Sequence, residues 1–414
     1  MTHQMTQPPS KRLTGNRTSA APRRSPAFRF FAGLVVASLV LGALELSVRL
    51  LIPDPGGRRF QQINQIVLFL GTHESDLMLE TDSQRFWKLK PSVRIEDSGN
   101  EFWKGRVSNS LGFRNPEFDV VRAEGSLRIV CFGDSSTFGI GNRMAETWPA
   151  QLEAQLRAQL RAQQRAADWL TGYSQIEVIN AGVPGYSSWQ GLQHMQQELS
   201  RLQPDIVLAS YANNDFWHWD DTTDKSHAQQ FQQSSLRNVL MHSRIACLFD
   251  DLLSGLRQPD ADALQAPSPN KRWAQTATVN YVSPIPQWTR RVPLDDFRVN
   301  ICQMADLCAE HQAACILVKW PDQPMAGGQG SPREEYHTIL GQIARERRLA
   351  VADVVAAFQR HPWSVDTYIP NDIVHVNKSG NALAAQSAFE AVRQVLGHSP
   401  SADAPGDIGP VPTN

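Results

Sequence analysis

A chain of 414 residues with 41% apolar and 20% charged side chains has an ordinary globular composition, which excludes a fibrous or wholly disordered protein. It is longer than one small domain needs and suits a single α/β domain with appendages. A formal net charge of −1 gives no electrostatic case for nucleic acid as a partner.

Residues 1–29 carry Lys11, Arg12, Arg17, Arg23, Arg24 and Arg29 and no acidic residue, and read as a basic, disordered tail. An apolar run then begins at Phe30, is uncharged through Leu44, and continues past Glu45 and Arg49 to Ile52, where Pro53-Asp54-Pro55 stops it. The uncharged part alone is short of the ~20 residues of a membrane span. Glu45 and Arg49 stand one helical turn apart, however, so they can pair or snorkel at an interface. A cleaved signal peptide and a buried core helix are the rival readings, but no clear small-x-small site comes after the run, and the basic flank and polar N-terminal arm disfavour a core helix. Residues 30–52 are therefore expected to be a signal anchor. The basic flank puts the N-terminus in the cytoplasm and the remainder outside it.

Residues 53–125 form an exported extension without long periodic runs. Its Asn109-Ser110-Leu111-Gly112 and Arg114-Asn115-Pro116 suit turns between short strands packed on the domain C-terminal to them. From Ser126 strands alternate with helices. Leu127–Phe132 is an apolar run of strand length, and Trp148, Leu152, Leu156 and Leu160 then make one helical stripe. Ile176–Ile179 predicts a second strand, Trp189–Leu202 a helix, and Ile206–Tyr211 a third strand. Residues 216–290 interrupt the rhythm with Trp217, Trp219 and a loose Pro- and Ala-rich segment. The alternation resumes with a helix from Leu294 to His311, a strand Ala314–Lys319, a helix Arg333–Arg347, a strand Ala350–Val354 and a helix Gly380–Leu396. Residues 398–414 read as a disordered tail. Strands joined by helices imply a mainly parallel sheet covered on both faces, with ligands beyond the carboxyl ends of the strands.

Chemistry-bearing residues fall at those strand ends. The first strand ends in Gly133-Asp134-Ser135, with Thr137 where the G-x-S-x-G elbow would need glycine. The second ends in Asn180-Ala181-Gly182-Val183-Pro184-Gly185, which on its own suits a plain strand-to-helix turn but can aim an N–H into a crevice. The third ends in Ala212-Asn213-Asn214-Asp215, where an amide can donate to a developing oxyanion or simply cap a turn. Late in the chain, Asp372 and His375 stand three apart, so the carboxylate can hold the imidazole tautomer that general-base work needs.

Taken together and in this order, these blocks resemble the SGNH hydrolases, the GDSL esterase/lipase family, over about Arg128–Leu396. Trp148-Pro149 is also similar to the family's pattern. The resemblance implies a flavodoxin-like three-layer α/β/α sandwich in a hydrolase domain of residues 126–397, with 216–290 as an insertion. It implies Ser135 as nucleophile with Asp372 and His375 as partners. The oxyanion hole it implies is made of the Ser135 and Gly185 N–H groups and the Asn214 amide, with Gly182 as the alternative register to Gly185. The sequence departs from the family at Ala212, where Gly is usual, and at Val376, where Pro is common. Asn213, in an extended strand, is expected to face away from the site.

The activity implied is ester hydrolysis on a small-molecule or glycan acyl ester, with an envelope substrate suggested by the anchor. A polysaccharide O-acyltransferase and a non-catalytic envelope-assembly protein are the rivals. No cofactor is implied. His218, Asp220 and Asp221 could hold a metal, but the flanking tryptophans favour a lid or surface turn. Trp217, Trp219, Trp273 and Trp288 could stack on a sugar or pack in a core. The cysteines Cys131, Cys247, Cys302, Cys308 and Cys315 lack zinc spacing and read as inert thiols.

Overall fold

A computed structural model describes residues 26–51, 78–95 apart from 83, 105–163, 169–217, 223–233, 289–361, 364–370 and 372–397, with Ser243 and Ile245. The first element is α1 (Pro26–Leu51). Its 19-residue stretch Phe30–Val48 has a mean hydropathy of 2.1 and none of it is buried. A helix of 26 residues is about 39 Å long at 1.5 Å per residue, enough to cross a ~30 Å hydrocarbon layer. It fits a single-pass anchor or a signal sequence. Near its end Glu45 accepts hydrogen bonds from the Ser243 hydroxyl at 2.8 Å and the Ile245 N–H at 3.2 Å.

Two small antiparallel pairs come next: β1 (Leu79–Asp82) with β2 (Phe86–Leu89), and β3 (Arg94–Ile95) with β4 (Gly105–Arg106). They lead into β5 (Ser126–Gly133), α2 (Ser135–Phe138), α3 (Trp148–Gln163), β6 (Gln175–Gly182), α4 (Ser188–Leu202) and β7 (Ile206–Ser210). After α5 (Asp224–Gln233) come α6 (Leu294–Glu310), β8 (Ala314–Lys319), α7 (Gln323–Ala326), α8 (Glu334–Arg347), β9 (Ala350–Asp353), α9 (Val354–Arg360) and α10 (Lys378–Gly397).

Strands β5 to β9 form one sheet in the order β6-β5-β7-β8-β9, with every neighbouring pair parallel. Its central strand shows why. All eight residues of β5 are buried, and they divide by parity. Leu127, Ile129 and Cys131 pack with Trp148, Leu152 and Leu156 of α3 and the alanine-rich stripe of α10. Val130 and Phe132 pack with Leu192 and Met195 of α4 and with Phe297 and Ile301 of α6. A strand apolar on both sides can only be stable between two helical layers, so the chain folds as a three-layer α/β/α sandwich of flavodoxin-like order. Each fully buried leucine of the α3 stripe contributes about 1.5–3 kcal/mol.

The extension covers the rim of this sheet. Arg114 N–H donates to the Asn180 carbonyl, and Asn115 accepts the Asn180 N–H and donates to the Val178 carbonyl. Edge strand β6 therefore meets polar partners along its outer side and offers no open template for another strand. Met78, Leu79, Phe86 and Trp87 join the core on the α4 side.

The carboxyl end of β6 and the turn after β5 approach backbone to backbone. A Cβ on Gly182 would lie 2.3 Å from the Phe138 nitrogen and 2.7 Å from the Thr137 carbonyl carbon. Neither neighbour is a flexible side-chain tip, so the structure cannot yield cheaply. Gly182→Ala is expected to lower unfolding stability by about 1–3 kcal/mol, read from denaturant midpoints. Gly330→Ala, with open space around it, should stay within about 0.5 kcal/mol. Equal stability in the two variants would refute this close packing.

Candidate active site

Ser135 lies at the carboxyl end of β5, where the sequence places it, but in a one-turn helix and not a plain turn. Asp134 caps that helix, its side chain accepting the Ser136 N–H at 2.8 Å. Gly139, at φ +82°, closes it by donating its N–H to the Ser135 carbonyl. Burial holds the Asp134 carboxyl above the usual carboxylate range, against the pull of the Ser136 N–H and His375.

The imidazole arrives from the other end of the domain. The loop that carries Asp372 and His375 is closed by the Tyr368–Val376 bridge and by the Ile369 N–H on the His375 carbonyl. Three neighbours hold it: Asn142 donates to Val376, the Trp320 indole to Val374, and the Gln323 N–H to Ile373. Asp372 bends the loop from within. Its Oδ1 accepts the N–H groups of Val374 and His375 at 2.8 and 2.9 Å, while its Oδ2 meets His375 Nδ1 at 2.6 Å. His375 Nε2 then lies 2.8 Å from Ser135 Oγ.

Sequence positions 135, 372 and 375 are thus brought into one hydrogen-bonded line of hydroxyl, imidazole and carboxylate, with Ser135 and His375 each less than a tenth exposed. Burial alone would lower the His375 pKa, but the Asp372 carboxylate outweighs it and holds the imidazole above its ordinary value of 6.5. Asp372 also resists burial. The charge and hydrogen bonds of His375 bring its carboxyl down to about 2. Such a line can remove a proton from Ser135 as its oxygen attacks an electrophile.

Opposite this line, Val183–Tyr186 forms a turn with Gly185 at φ +79°, a value that favours glycine. Among the described residues, neither the Gly185 N–H nor the Ser135 N–H has an acceptor. Gly182, the alternative register, has its N–H engaged by Asn180 Oδ1 at 3.0 Å. Asn214 donates from Nδ2 to the Tyr186 carbonyl at 3.0 Å and to Asp134 Oδ2 at 3.2 Å, joining three strand ends.

Asn213 does not turn away from this region as strand alternation predicts. Strand β7 stops at Ser210, Ala212 takes φ +134°, and the turn after it brings Asn213 Nδ2 to 3.4 Å from Ser136 Oγ. Ala212 stands where glycine would be unstrained. Asp215 braces it by accepting the N–H groups of Ala212 and Ser188. Val376, the other departure, directs its carbonyl to Asn142 and Asn381.

Sequence reasoning missed Trp87, Tyr186, Asp224 and Arg291. Trp87 and Arg291 both bind the 183–186 turn, and no motif marks them. His218, Asp220, Asp221, Trp219, Trp273, Trp288 and Cys247 lie outside the described residues. Among the described residues no cluster of potential metal ligands is found, and Cys131, Cys302, Cys308 and Cys315 are unbridged.

Residues 131–383 match the GDSL-like Lipase/Acylhydrolase family. The chain belongs to that family. As a GDSL hydrolase it is a serine hydrolase acting on ester bonds. Its structure is similar to a lipase/acylhydrolase from Enterococcus faecalis, at 17% identity and a TM-score of 0.39, covering 65% of this chain and 96% of that one. It is also similar to the psychrotrophic esterase EstA from Pseudoalteromonas sp. (13% identity, TM-score 0.37, covering 66% and 99%). An acetylxylan esterase from Geobacillus stearothermophilus matches at 16% identity and a TM-score of 0.37, covering 64% and 93%. A comparison with curated proteins finds no match.

The opposed shifts of Asp372 and His375 predict how this GDSL hydrolase titrates. A histidine with a raised folded pKa adds stability below 6.5 and loses it as pH rises through the folded value. Asp372 adds stability above 3.8 and loses it as pH falls towards about 2. NMR titration of His375 in the full chain should give a midpoint above 6.5. In Asp372→Asn burial is opposed by the weaker pull of Asp134 alone, and the midpoint should fall. A midpoint insensitive to that substitution would overturn the pairing.

Proposed function

We propose that this GDSL hydrolase is a membrane-anchored serine esterase that removes an acyl group from an ester in the cell envelope. The observation that carries the reading is the continuous Asp372–His375–Ser135 line, with contacts of 2.6 and 2.8 Å.

In the proposed reaction His375 Nε2 takes the proton of Ser135 Oγ as that oxygen bonds to the ester carbonyl carbon. The carbonyl electron pair moves onto oxygen, and the Ser135 and Gly185 N–H groups donate to it. The Asn214 amide is the third donor. It exchanges its 3.2 Å contact with Asp134, the longer of its two bonds, for the developing negative charge. The alcohol leaves with the proton held by His375. Water then attacks the acyl-enzyme, His375 accepts its proton, and the free acid departs as Ser135 Oγ is reprotonated. Asp372 stays ionised throughout and stabilises the imidazolium.

The envelope substrate rests on topology. Residues 1–29 would lie in the cytoplasm, 30–52 in the membrane, and the extension 53–125 and hydrolase domain 126–397 on the far side. Six lysine and arginine residues precede the apolar run that begins at Phe30 and no acidic one does, a bias that retains the flank inside.

An active-site-directed fluorophosphonate should label the wild-type chain and not Ser135→Ala. Ser135→Ala and His375→Ala should each abolish ester turnover in folded protein, because the two act as one unit. Labelling of Ser135→Ala would identify another nucleophile. Asn214→Ala should lower kcat by roughly 10²–10³ with little change in KM. A folded variant with near wild-type kcat would remove Asn214 from the mechanism. The acyl group should be recovered as free acid, and its recovery on an added glycan acceptor would favour transfer over hydrolysis.

Orientation has its own test. A reporter active only outside the cytoplasm, fused after Asn414, should be active. Activity of a cytoplasm-only reporter at that position would reverse the topology and remove the envelope substrate.

A further inference from the structure

The Val183–Tyr186 turn has Pro184 and Gly185 at its centre, with the Tyr186 N–H on the Val183 carbonyl at 3.3 Å and Gly185 at φ +79°. Proline ahead of a glycine at positive φ is the pattern of a type II turn. The central peptide of such a turn, here Pro184–Gly185, takes no part in the turn's own hydrogen bond. Rotating that one peptide converts type II to type I and reverses the direction of the Gly185 N–H.

Three side chains from separate parts of the chain bind the three successive carbonyls of this turn. The Trp87 indole N–H donates to Pro184 at 2.9 Å, Arg291 Nη1 to Gly185 at 2.8 Å, and Asn214 Nδ2 to Tyr186 at 3.0 Å. Of the three, Trp87 holds the peptide that carries the Gly185 N–H. The C=O and N–H of a trans peptide point in opposite directions, so fixing one fixes the other. A hydrogen bond to the carbonyl also polarises the amide and makes its N–H a better donor.

We propose that Trp87, from the extension ahead of the hydrolase domain, is a positioning residue for oxyanion stabilisation. Its indole locks the Pro184–Gly185 peptide with the Gly185 N–H turned to the reacting carbonyl. The proposal rests on the reading of Gly185 as an oxyanion donor.

The hairpin is built to hold that indole still. Trp87 is fully buried, and its own carbonyl accepts the Tyr186 hydroxyl at 2.6 Å. Its neighbour Phe86 is held at φ +69°, costly for a bulky residue, and stacks on Trp189 at 5.0 Å. The Arg85 carbonyl accepts Gln190 Nε2 at 2.8 Å, and Asp82 Oδ1 takes the Gln84 and Arg85 N–H groups inside the hairpin turn. Hairpin and oxyanion turn are therefore joined in both directions.

The test uses the full-length chain with Trp87 replaced by 3-benzothienylalanine, which keeps the bicyclic shape and removes the N–H, beside Trp87→Phe. With p-nitrophenyl acetate, kcat should fall about tenfold or more in both variants. That is a part of the 10²–10³ lost with a whole oxyanion donor. KM should stay within about twofold, and the denaturation midpoint of the benzothienyl variant should be unchanged. The corresponding thionoester, whose sulfur accepts weaker hydrogen bonds, should lose less than the ester. A benzothienyl variant with wild-type kcat, beside a crippled Asn214→Ala, would overturn the role of Trp87 and leave the oxyanion reading standing. So would a fall in kcat matched by a rise in KM and equal losses on ester and thionoester. An enzyme that hydrolyses both substrates equally and tolerates Asn214→Ala would overturn the oxyanion reading and this proposal with it.

Discussion

A parallel sheet that grows on both sides of its first strand must reverse direction, and here it does so at β5, between β6 and β7. The chain leaves β5 to build β6 on one side, then crosses to build β7 on the other. The connections diverge at that point and open a crevice beyond the carboxyl ends of the strands. The whole candidate site depends on this reversal. Ser135 comes directly after β5, the Val183–Tyr186 turn after β6 and Asn214 after β7, so three segments far apart in sequence meet on one rim. The Gly182 backbone against Phe138 sets the separation of the first two. The Asn214 amide, bound to Tyr186 and Asp134, ties the third to both.

How much of this was legible in the sequence depends on how local each interaction is. The β5 run and the Trp148-Leu152-Leu156 stripe could be read because periodicity is set by neighbours a few residues apart. Asp372 and His375 could be read because the carboxylate caps the same turn that carries the imidazole. Alternation misled at Asn213, because it holds only while a strand lasts, and β7 ends at Ser210 before Ala212 reverses the backbone. Trp87 could be read only as a residue fit for a core. Its partner is a backbone carbonyl 97 positions away, and a carbonyl leaves no signature in the side chains around it.

Carbonyls in loops and at helix ends also account for several buried arginines. Arg114 spreads its guanidinium over the carbonyls of Val107, Phe138 and Asn142, and Arg128 over those of Asp119, Val120 and Leu202. Arg291 binds Gly185 and a fully buried Asp224. Burying a guanidinium costs several kcal/mol unless its donors are satisfied. Irregular segments, for their part, leave carbonyls without ladder partners. The two needs meet. Each arginine fastens a loop that neither helix nor strand could hold, and burial brings the Arg114 pKa down only to about 10, leaving it charged at neutral pH.

Two carboxyl groups act on one imidazole, and the fold drives them apart in character. Asp372 accepts two backbone N–H groups and the His375 ring, and its pKa falls to about 2. Asp134 accepts a cap and an amide, but burial wins and lifts it above the ordinary range. Pairs of titratable groups pushed in opposite directions carry different duties. Asp372, held near 2, keeps its charge at neutral pH and can fix the tautomer of His375. Asp134 holds its charge less firmly, and its work is geometric: it caps the Ser135 helix and anchors Asn214. Burying Asp134 and giving Asp372 two backbone N–H groups leaves Asp372 as the dominant partner of the imidazole.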